Sequence, residues 1–484
     1  SGGYKGEKIT LPDLYACRGT QMGAKVKRLE SVKRVIVLWL SVAGGLLQAA
    51  GYIYLWFEYY YPIINNFNRG LKFERNGHLV VAGLYIVLLL FFNNTYGGMK
   101  IGYLKPVDVF LSQFFSLIFV NVITYFQLSL MNNWLVPVRY FVKAMPIQLV
   151  IAALCTYISN LVYRKVFPPR EMLLIHGERE IDSILQKFAT RRDKYRITKC
   201  MDIKEGIERL EEEALRGYGA VVLWDIPTME RNLLLKYFYS RSVRVYTMPK
   251  IPDVLLKGSD QLHLFDTPIF LTREYALTVG QRAAKRTIDI VCSILLLIIA
   301  CPFMLLTALL IKCYDRGPVF YKQVRCTRDA RRFSIIKFRS MRVDAEKDGV
   351  ARLAARHDDR ITPIGRFIRA VRIDELPQLF NILKGDMSFI GPRPERPEII
   401  EQYMREMPEF AFRMKVKAGL AGYAQVYGKY NTTPYDKLKL DLTYVENYSV
   451  WLDLKLMLLT LKILIKPEST EGVESSQVTA MKEP

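Results

Sequence analysis

Two adjacent carboxylates, Asp374 and Glu375, are the residues of this 484-residue sequence best suited to phosphoryl chemistry. Leu376, Leu379 and Phe380 follow at helical spacing, which predicts that the pair lies near the start of a helix. A helix amino end attracts phosphate, a carboxylate can attack phosphorus to form an acyl phosphate, and a neighbouring carboxylate can hold Mg²⁺. This segment alone favours a simpler interpretation, an N-cap followed by a first-turn acid.

Several cationic side chains could neutralise two carboxylates and a bound diphosphate. Lys337 and Arg339 lie two residues apart, so on a strand they would share one face. Arg393 lies between two prolines, and a guanidinium in such a stiff loop suits bidentate phosphate contact. Three further arginines recur at every third position, which predicts a basic stripe on one helix face. These are Arg366, Arg369 and Arg372.

The formal charge of +22 predicts acidic partners. Because the basic residues flank apolar runs, anionic membrane lipid and phosphorylated substrates are favoured, and no nucleic acid is expected as a partner. The four histidines are scattered along the sequence, which argues against a histidine-based metal site.

Four apolar runs before residue 165 could each span a bilayer. They are Val35–Phe57, Leu79–Asn93, Val107–Leu130 and Pro137–Tyr163. Basic residues before the first run and after the fourth place both ends of this bundle in the cytoplasm. The first external loop obeys the rule less cleanly, because it carries Arg69, Lys72 and Arg75.

A fifth apolar run, Ile288–Ile311, contains Cys301 and Pro302 near its middle, where a proline removes a hydrogen bond and bends a helix. Basic residues flank this run on both sides, beginning with Lys285 and Lys312. A bent helix that enters one leaflet and returns would keep both flanks on the same side of the membrane. The residues alone do not separate that arrangement from a kinked span.

Between the fourth and fifth runs, short buried strands alternate with helical patterns. The strands are Met172–Ile175, Arg196–Met201, Ala220–Trp224 and Arg244–Met248, and the helices include Ile181–Arg191 and Ile203–Leu215. This alternation predicts a small parallel α/β domain with doubly wound topology. The turn Ile175–Glu178 lacks the GxGxxG fingerprint, so a structural or regulatory role is favoured over nucleotide binding.

The last third of the sequence resembles the bacterial sugar transferase family, the monotopic phosphoglycosyl transferases that act on polyprenyl phosphate. The motifs are KFRSM (337–341), DDRITPIGRFIR (358–369), DELPQLFNILKGDMSFIGPRPE (374–395), GLAGYAQVYG (419–428) and DLTYVENYSVWLDLKLMLLT (441–460). The resemblance covers about Lys285–Leu464. The preceding spans and α/β domain are similar to those of the large family members, which start exopolysaccharide, capsule or O-antigen assembly. Ala418, Ala421 and Cys301 depart from the common pattern, which puts substrate choice and loop shape in doubt more than the reaction.

The resemblance implies that Asp374 is the nucleophile. It would attack the β-phosphate of a UDP-sugar, release UMP and pass a hexose phosphate to undecaprenyl phosphate, giving a polyprenyl diphosphate sugar. Glu375 is implied as the ligand of a Mg²⁺ cofactor, and Arg393 as a phosphate contact.

Four further residues match family positions with a less defined part. Arg369 and Asp453 fall on positions important for catalysis or binding, and Lys337 and Arg339 occupy a basic motif that contributes to phosphate or nucleotide binding. By the same resemblance, Cys301 and Pro302 form the break of a re-entrant membrane helix.

The sequence therefore predicts a multi-pass protein of the bacterial inner membrane, of mixed fold, with its catalytic domain on the cytoplasmic face. The predicted parts are a cytosolic tail (1–34), a four-helix transmembrane bundle (35–165), an α/β Rossmann-like domain (166–270), a mainly α catalytic domain (271–466) with a re-entrant helix (285–312), and a polar tail (467–484). A homodimer is expected from the resemblance and the bundle, and the identity of the sugar is not predicted.

Three alternatives compete with this function. A glycosyltransferase that moves only the sugar would release UDP instead of UMP. A membrane scaffold or regulator with a degenerate transferase domain would not need Asp374 or Arg393, and both are present. A dehydrogenase would use the α/β domain, and the missing glycine fingerprint argues against it.

Overall fold

The computed structural model describes residues 21–67, 75–274, 276–343, 360–428 and 432–464. Two compact units make up the chain, Ser1–Met248 and Pro249–Pro484. Some expectations fall outside the described residues: Arg69 and Lys72 of the first external loop, Asp358 and Asp359, and the tail from 467.

The first unit begins with a series of apolar helices that contains the four predicted runs, apart from Pro137 and Val138, which precede the last helix. It consists of α1 (Gln21–Leu55), a π-helical turn (Trp56–Tyr60), α2 (Tyr61–Phe67), α3 (Arg75–Tyr96), α4 (Pro106–Met131) and α5 (Arg139–Val166). The first predicted run ends at Phe57, whereas helical structure continues to Phe67. Tyr60 and Ile64 in this extension are also buried. Within the described chain, five helical segments are long and apolar enough to cross a membrane, and four lie in this unit.

The interior of the helical bundle is polar at its centre. Tyr85 donates a hydrogen bond to Asn121 (2.8 Å), and Asn121 donates to Gln148 (2.9 Å). Gln48 donates to Gln113 at 3.1 Å. Hydrogen bonds of this kind join helices in lipid, so the network fits a membrane protein.

The α/β domain follows in the same unit. Strands β1 (Arg170–His176), β2 (Tyr195–Asp202), β3 (Ala220–Trp224) and β4 (Val245–Thr247) form a parallel sheet in the order β2-β1-β3-β4, and α6 (Asp182–Ala189), α7 (Ile207–Ala214) and α8 (Thr228–Ser240) connect them. Leu173 and Val221 pack in a core with residues of α7 and α8, whereas Leu174 and Val222 pack with α6. The predicted doubly wound topology is confirmed.

In its described residues, the second unit combines helices with three two-stranded sheets. Its elements are α9 (Ile251–Gly258), β5 (Asp260–Leu264), β6 (Thr267–Leu271), α10 (Val279–Asp315), β7 (Phe320–Cys326), β8 (Arg332–Phe338), α11 (Pro363–Ala370), α12 (Gln378–Lys384), β9 (Ser388–Ile390), α13 (Pro397–Glu406), β10 (Gly419–Ala421), α14 (Tyr423–Tyr427), α15 (Pro434–Glu446) and α16 (Val450–Leu464). Residues 249–270, assigned above to the α/β domain, lie in this unit, because Ile251 and Val254 pack with Leu438 and Leu442 of α15.

Helix α10 is the fifth apolar segment and continues through Pro302. It begins at a capping box in which Thr278 accepts from the Gln281 amide and Gln281 accepts from the Thr278 amide. Near its first turns Lys285 pairs with Asp453, and at its last residue Asp315 pairs with Arg339. Both polar ends of this apolar helix are therefore held by the same unit.

Candidate active site

The carboxylate pair lies on a tight turn between two short helices. Thr362 caps α11 by accepting from the Gly365 amide at 2.9 Å, and the helix ends at Ala370. Arg372 has left-handed backbone (φ 59°), and residues 373–375 form a 3₁₀ turn. The predicted three-arginine stripe is therefore wrong, because Arg372 lies beyond the helix.

Apolar residues on both sides of the carboxylate pair pack this turn against a buried hydrophobic cluster. Ile373 and Leu376, on either side of the pair, pack on Ile368 and Phe338. The chain must therefore present Asp374 and Glu375 on the opposite side of the turn, away from that apolar cluster.

Three cations converge on Glu375. Its Oε1 lies 3.2 Å from Lys337 Nζ and 3.4 Å from Arg393 Nη2, and its Oε2 lies 3.6 Å from Arg372 Nη1. Burial alone would raise the pKa of Glu375, but Lys337, Arg393 and Arg372 outweigh it and hold that pKa well below the usual range. Glu375 is therefore ionised and fixed in place.

Asp374 differs from Glu375 in its partners and in the direction of its pKa shift. The side chain is buried, and among the described residues it makes no hydrogen bond or ion pair. Burial and the Glu375 charge raise the pKa of Asp374 to about 6, although Lys337 and Arg369 oppose them. It does not cap α12, whose N-cap residue is Pro377. Among the described residues, the Asp374 carboxylate therefore has no hydrogen-bond or ion-pair partner, and it is ionised at neutral pH.

Two of the predicted site residues have other partners. Arg339 follows the end of β8 and pairs with Asp315. Asp453, on α16, is buried against Lys285 and Tyr444 at 2.7 Å from each. The structure therefore brings Lys337, Arg393 and Arg369 to the carboxylate pair, whereas Arg339 and Asp453 pair with Asp315 and Lys285. Cys301 and Pro302 lie in the exposed middle of α10.

The loop that carries Arg393 is supported by residues that the sequence analysis did not name. Arg413 donates to the Arg393 carbonyl (3.1 Å), and Arg325 donates to the Pro394 carbonyl (3.2 Å). Glu395 lies among Arg413, Arg325 and Lys437. Although burial opposes them, Lys437 and Arg413 lower the pKa of Glu395 to about 2. No local pattern marks these residues, because they come from distant segments.

Asp374 and Glu375 supply the carboxylate oxygens that Mg²⁺ prefers. Within the described ranges, no three His, Cys, Asp or Glu side chains converge as a ready-made metal cage. Mg²⁺ commonly takes one or two protein carboxylates and completes its shell with water and phosphate oxygens. The pair therefore fits a magnesium ion that binds together with a diphosphate.

Comparison with known proteins assigns the sequence around this site to a family. The sequence model of the bacterial sugar transferases matches residues 280–467. The UDP-glucose:undecaprenyl-phosphate glucose-1-phosphate transferase of Caulobacter vibrioides is 39% identical over 190 residues, which are 38% of this chain and 71% of that protein. The chain belongs to the bacterial sugar transferase family. Its candidate site lies wholly inside the matched region.

Two further relatives of this bacterial sugar transferase differ in the sugar that their names give. The UDP-N-acetylgalactosamine-undecaprenyl-phosphate N-acetylgalactosaminephosphotransferase of Aeromonas hydrophila is 42% identical over 184 residues, or 37% of this chain and 43% of that protein. The undecaprenyl-phosphate galactose phosphotransferase of Salmonella typhimurium is 35% identical over 249 residues, or 48% of this chain and 51% of that protein. The chain thus spans about half of these two relatives or less.

Proposed function

We propose that this bacterial sugar transferase moves a hexose 1-phosphate from a UDP-sugar to undecaprenyl phosphate, as the first membrane step of surface polysaccharide synthesis. The observation that carries the proposal is the contrast within one carboxylate pair. Glu375 is held by three cations, whereas the buried Asp374 makes no hydrogen bond or ion pair within the described part of the chain. The names of the three relatives described above, each of which includes undecaprenyl phosphate, support the same reaction.

In the first half-reaction a carboxylate oxygen of Asp374 attacks the β-phosphorus of the donor. The bond from that phosphorus to the oxygen bridging the two phosphates breaks, and UMP leaves with the bonding electrons. In the second half-reaction a phosphate oxygen of the lipid attacks the same phosphorus, and the acyl phosphate bond breaks to return the free Asp374 carboxylate. Splitting the transfer in this way is typical of covalent catalysis.

The cations around Glu375 provide the charge that a diphosphate requires. Arg393 and Lys337 lie within reach of an anion that approaches the pair, and positioning with charge neutralisation is most of what phosphoryl transfer needs. Glu375, with donor phosphate oxygens, would hold Mg²⁺, and the ion would further stabilise negative charge on the phosphates. Arg369 moderates the pKa of Asp374 and keeps its carboxylate available.

The test is direct. Purified protein is given UDP-glucose, UDP-galactose and the two UDP-N-acetylhexosamines in turn, without lipid, and the intact mass and released nucleotide are measured. We expect a hexose-phosphate adduct on Asp374 with one of them and release of UMP, and no adduct in Asp374→Asn. Release of UDP would instead indicate a glycosyltransferase, and full complementation in cells by Asp374→Asn would indicate a scaffold.

We also propose that α10 is re-entrant, that four helices span the inner membrane, and that the second unit faces the cytoplasm. The support is that both polar ends of α10 pair with residues of one unit, at Asp453 and Arg339. A Val279→Cys variant and the native Cys313, each as the single cysteine, test it with a membrane-impermeant maleimide. Both should react only in inside-out vesicles, whereas a spanning helix would expose one of them outside.

Two partners complete the proposal. Arg366 and the exposed Phe367 on α11 suit an interface with anionic lipid.

Self-association is supported by the exposed hairpin β5–β6, whose Leu262 and Ile269 are paired neighbours on an apolar face. An apolar hairpin can pair with its own copy about a two-fold axis. Loss of a dimer on Leu262→Asp, measured by mass photometry in nanodiscs, would identify this face.

A further inference from the structure

The first turns of α10 carry a buried lysine, Lys285, and each of the three N–H donors of its ammonium group has an acceptor. Lys285 Nζ lies 2.7 Å from Asp453 Oδ2, 2.8 Å from the Ile390 carbonyl and 3.1 Å from Tyr444 Oη. Tyr444 in turn donates to the other Asp453 oxygen at 2.7 Å. An ammonium has three N–H donors, so this arrangement saturates it. All three side chains are buried.

The carbonyl that Lys285 holds has a special place in the chain. Ile390 is the last residue of β9, and the next residues, Gly391 and Pro392, lead directly to Arg393. One helical turn further along α10, Asp289 accepts from the Ser388 hydroxyl and the Phe389 amide, each at 2.9 Å. Residues four apart lie on the same helix face, so one face of α10 holds the whole of β9.

A neighbouring residue of α10 holds the other segment of the candidate site. Arg286 donates to the carbonyls of Ile382 and Leu383, at 2.6 and 2.5 Å, in the last turn of α12. A cation at a helix carboxyl end is favourable, and α12 follows the carboxylate pair directly in sequence. The base of α10 is therefore joined to the segment after Glu375 and to the strand before Arg393.

We propose that Lys285, held by Asp453 and Tyr444, is a positioning residue that fixes the Arg393 loop relative to Glu375. The inference rests on the proposed function for its effect on rate. It gives Asp453 an indirect part in the reaction: its carboxylate orients Lys285, and Lys285 fixes the Ile390 carbonyl. The 3.4 Å contact between Arg393 and Glu375 depends on where that loop begins.

Kinetics of the donor half-reaction test this inference. In Lys285→Met, formation of the hexose-phosphate adduct should slow on the order of 100-fold, because a displacement of about 1 Å costs that much. Combining Lys285→Met with Arg393→Ala should give no greater loss than Arg393→Ala alone, since Lys285 acts through Arg393. Losses that multiply would overturn the inference.

A double variant separates positioning from stability. Removing one member of a buried ion pair destabilises a fold strongly, whereas removing both is often nearly neutral. Lys285→Met/Asp453→Asn should therefore melt closer to the wild type than Lys285→Met does. Adduct formation should stay slow, because the Ile390 carbonyl loses the Lys285 ammonium at 2.8 Å and keeps only the longer contact from the Tyr444 hydroxyl at 3.3 Å. Recovery of the rate together with the melting temperature would show a merely structural role and overturn the inference.

Hydrogen–deuterium exchange supplies a readout that does not depend on the reaction. Amides of peptides covering residues 388–395 should exchange faster in Lys285→Met than in the wild type. Lys439→Met is the matched control, because Lys439 is also buried and pairs with a carboxylate, that of Asp436, at 2.8 Å. Unchanged exchange in Lys285→Met overturns the inference even if the wild type forms an adduct. A wild type that forms no adduct would instead refute the proposed function, and the exchange data would still decide the part of Lys285.

Discussion

Replacing Asp374 by asparagine should remove catalysis and at the same time stabilise the fold. The Asp374 carboxyl has its pKa raised from 3.8 to about 6 because it is buried and lies beside Glu375. At about 1.4 kcal/mol per tenfold change in proton affinity, the folded state loses up to about 3 kcal/mol at neutral pH. A buried amide without good partners gives back about 1–3 kcal/mol of that gain. The net expectation is a rise of about 1 kcal/mol in the free energy of unfolding, or roughly 2–4 °C in melting temperature.

The dependence on pH identifies the cause. A carboxyl with a raised pKa destabilises the folded state fully above about pH 6, and the penalty fades as pH falls from about 6 to about 4. Melting curves of wild type and Asp374→Asn in detergent should therefore differ most at pH 7 and above, and approach each other near pH 5. Adduct formation by the wild type should rise with pH through the same window, since the nucleophile must be ionised. A variant that melts below the wild type by an amount independent of pH would refute the reasoning.

Three further changes test the other parts of the site. Unlike Asp374→Asn, Glu375→Gln should lower the free energy of unfolding, by about 3 kcal/mol, because Lys337, Arg372 and Arg393 lose their shared anion. Chemical unfolding of the purified protein measures this change. Arg393→Lys should lower kcat/KM for the donor roughly ten- to hundredfold in a UMP-release assay, because a point charge replaces a planar fork. Chelation with EDTA should abolish UMP release and added Mg²⁺ should restore it, whereas full activity without a divalent ion would remove the metal role of Glu375.

The parts of the fold with a strong hydrophobic pattern were predictable. Strands β1 and β3 bury continuous apolar segments, and the apolar helices carry long runs of high hydropathy, so composition and length located them. The segment 249–270 carried no such signal, because β5 and β6 are exposed along their whole length. The arginine stripe failed at Arg372, since a left-handed residue other than glycine has no signature in sequence.

The candidate site was predictable as a set of residues and only partly as a set of contacts. Lys337 and Arg339 were expected on one face, but β8 ends at Phe338, so alternation no longer applies and Arg339 turns to Asp315. Asp453 was expected at a position important for catalysis or binding, and the structure pairs it with Lys285, 168 residues away in sequence. A contact between two segments so distant depends on the packing of α10 and α16, which no local pattern encodes.

The geometry distinguishes two carboxylates that the sequence leaves equivalent. Two adjacent acids cannot both carry an unshielded charge in a buried site, so one must be neutralised for the other to serve as a nucleophile. The cations that do this come from β8, from the turn itself and from the loop after β9, and all three contact Glu375. Within the described chain, the Asp374 carboxylate therefore has no ion-pair partner and its pKa is about 6, while the surplus of positive charge around Glu375 favours an incoming diphosphate. If Lys337 and Arg393 contacted Asp374 instead, Asp374 would be the neutralised carboxylate and Glu375 would be the better candidate for the nucleophile.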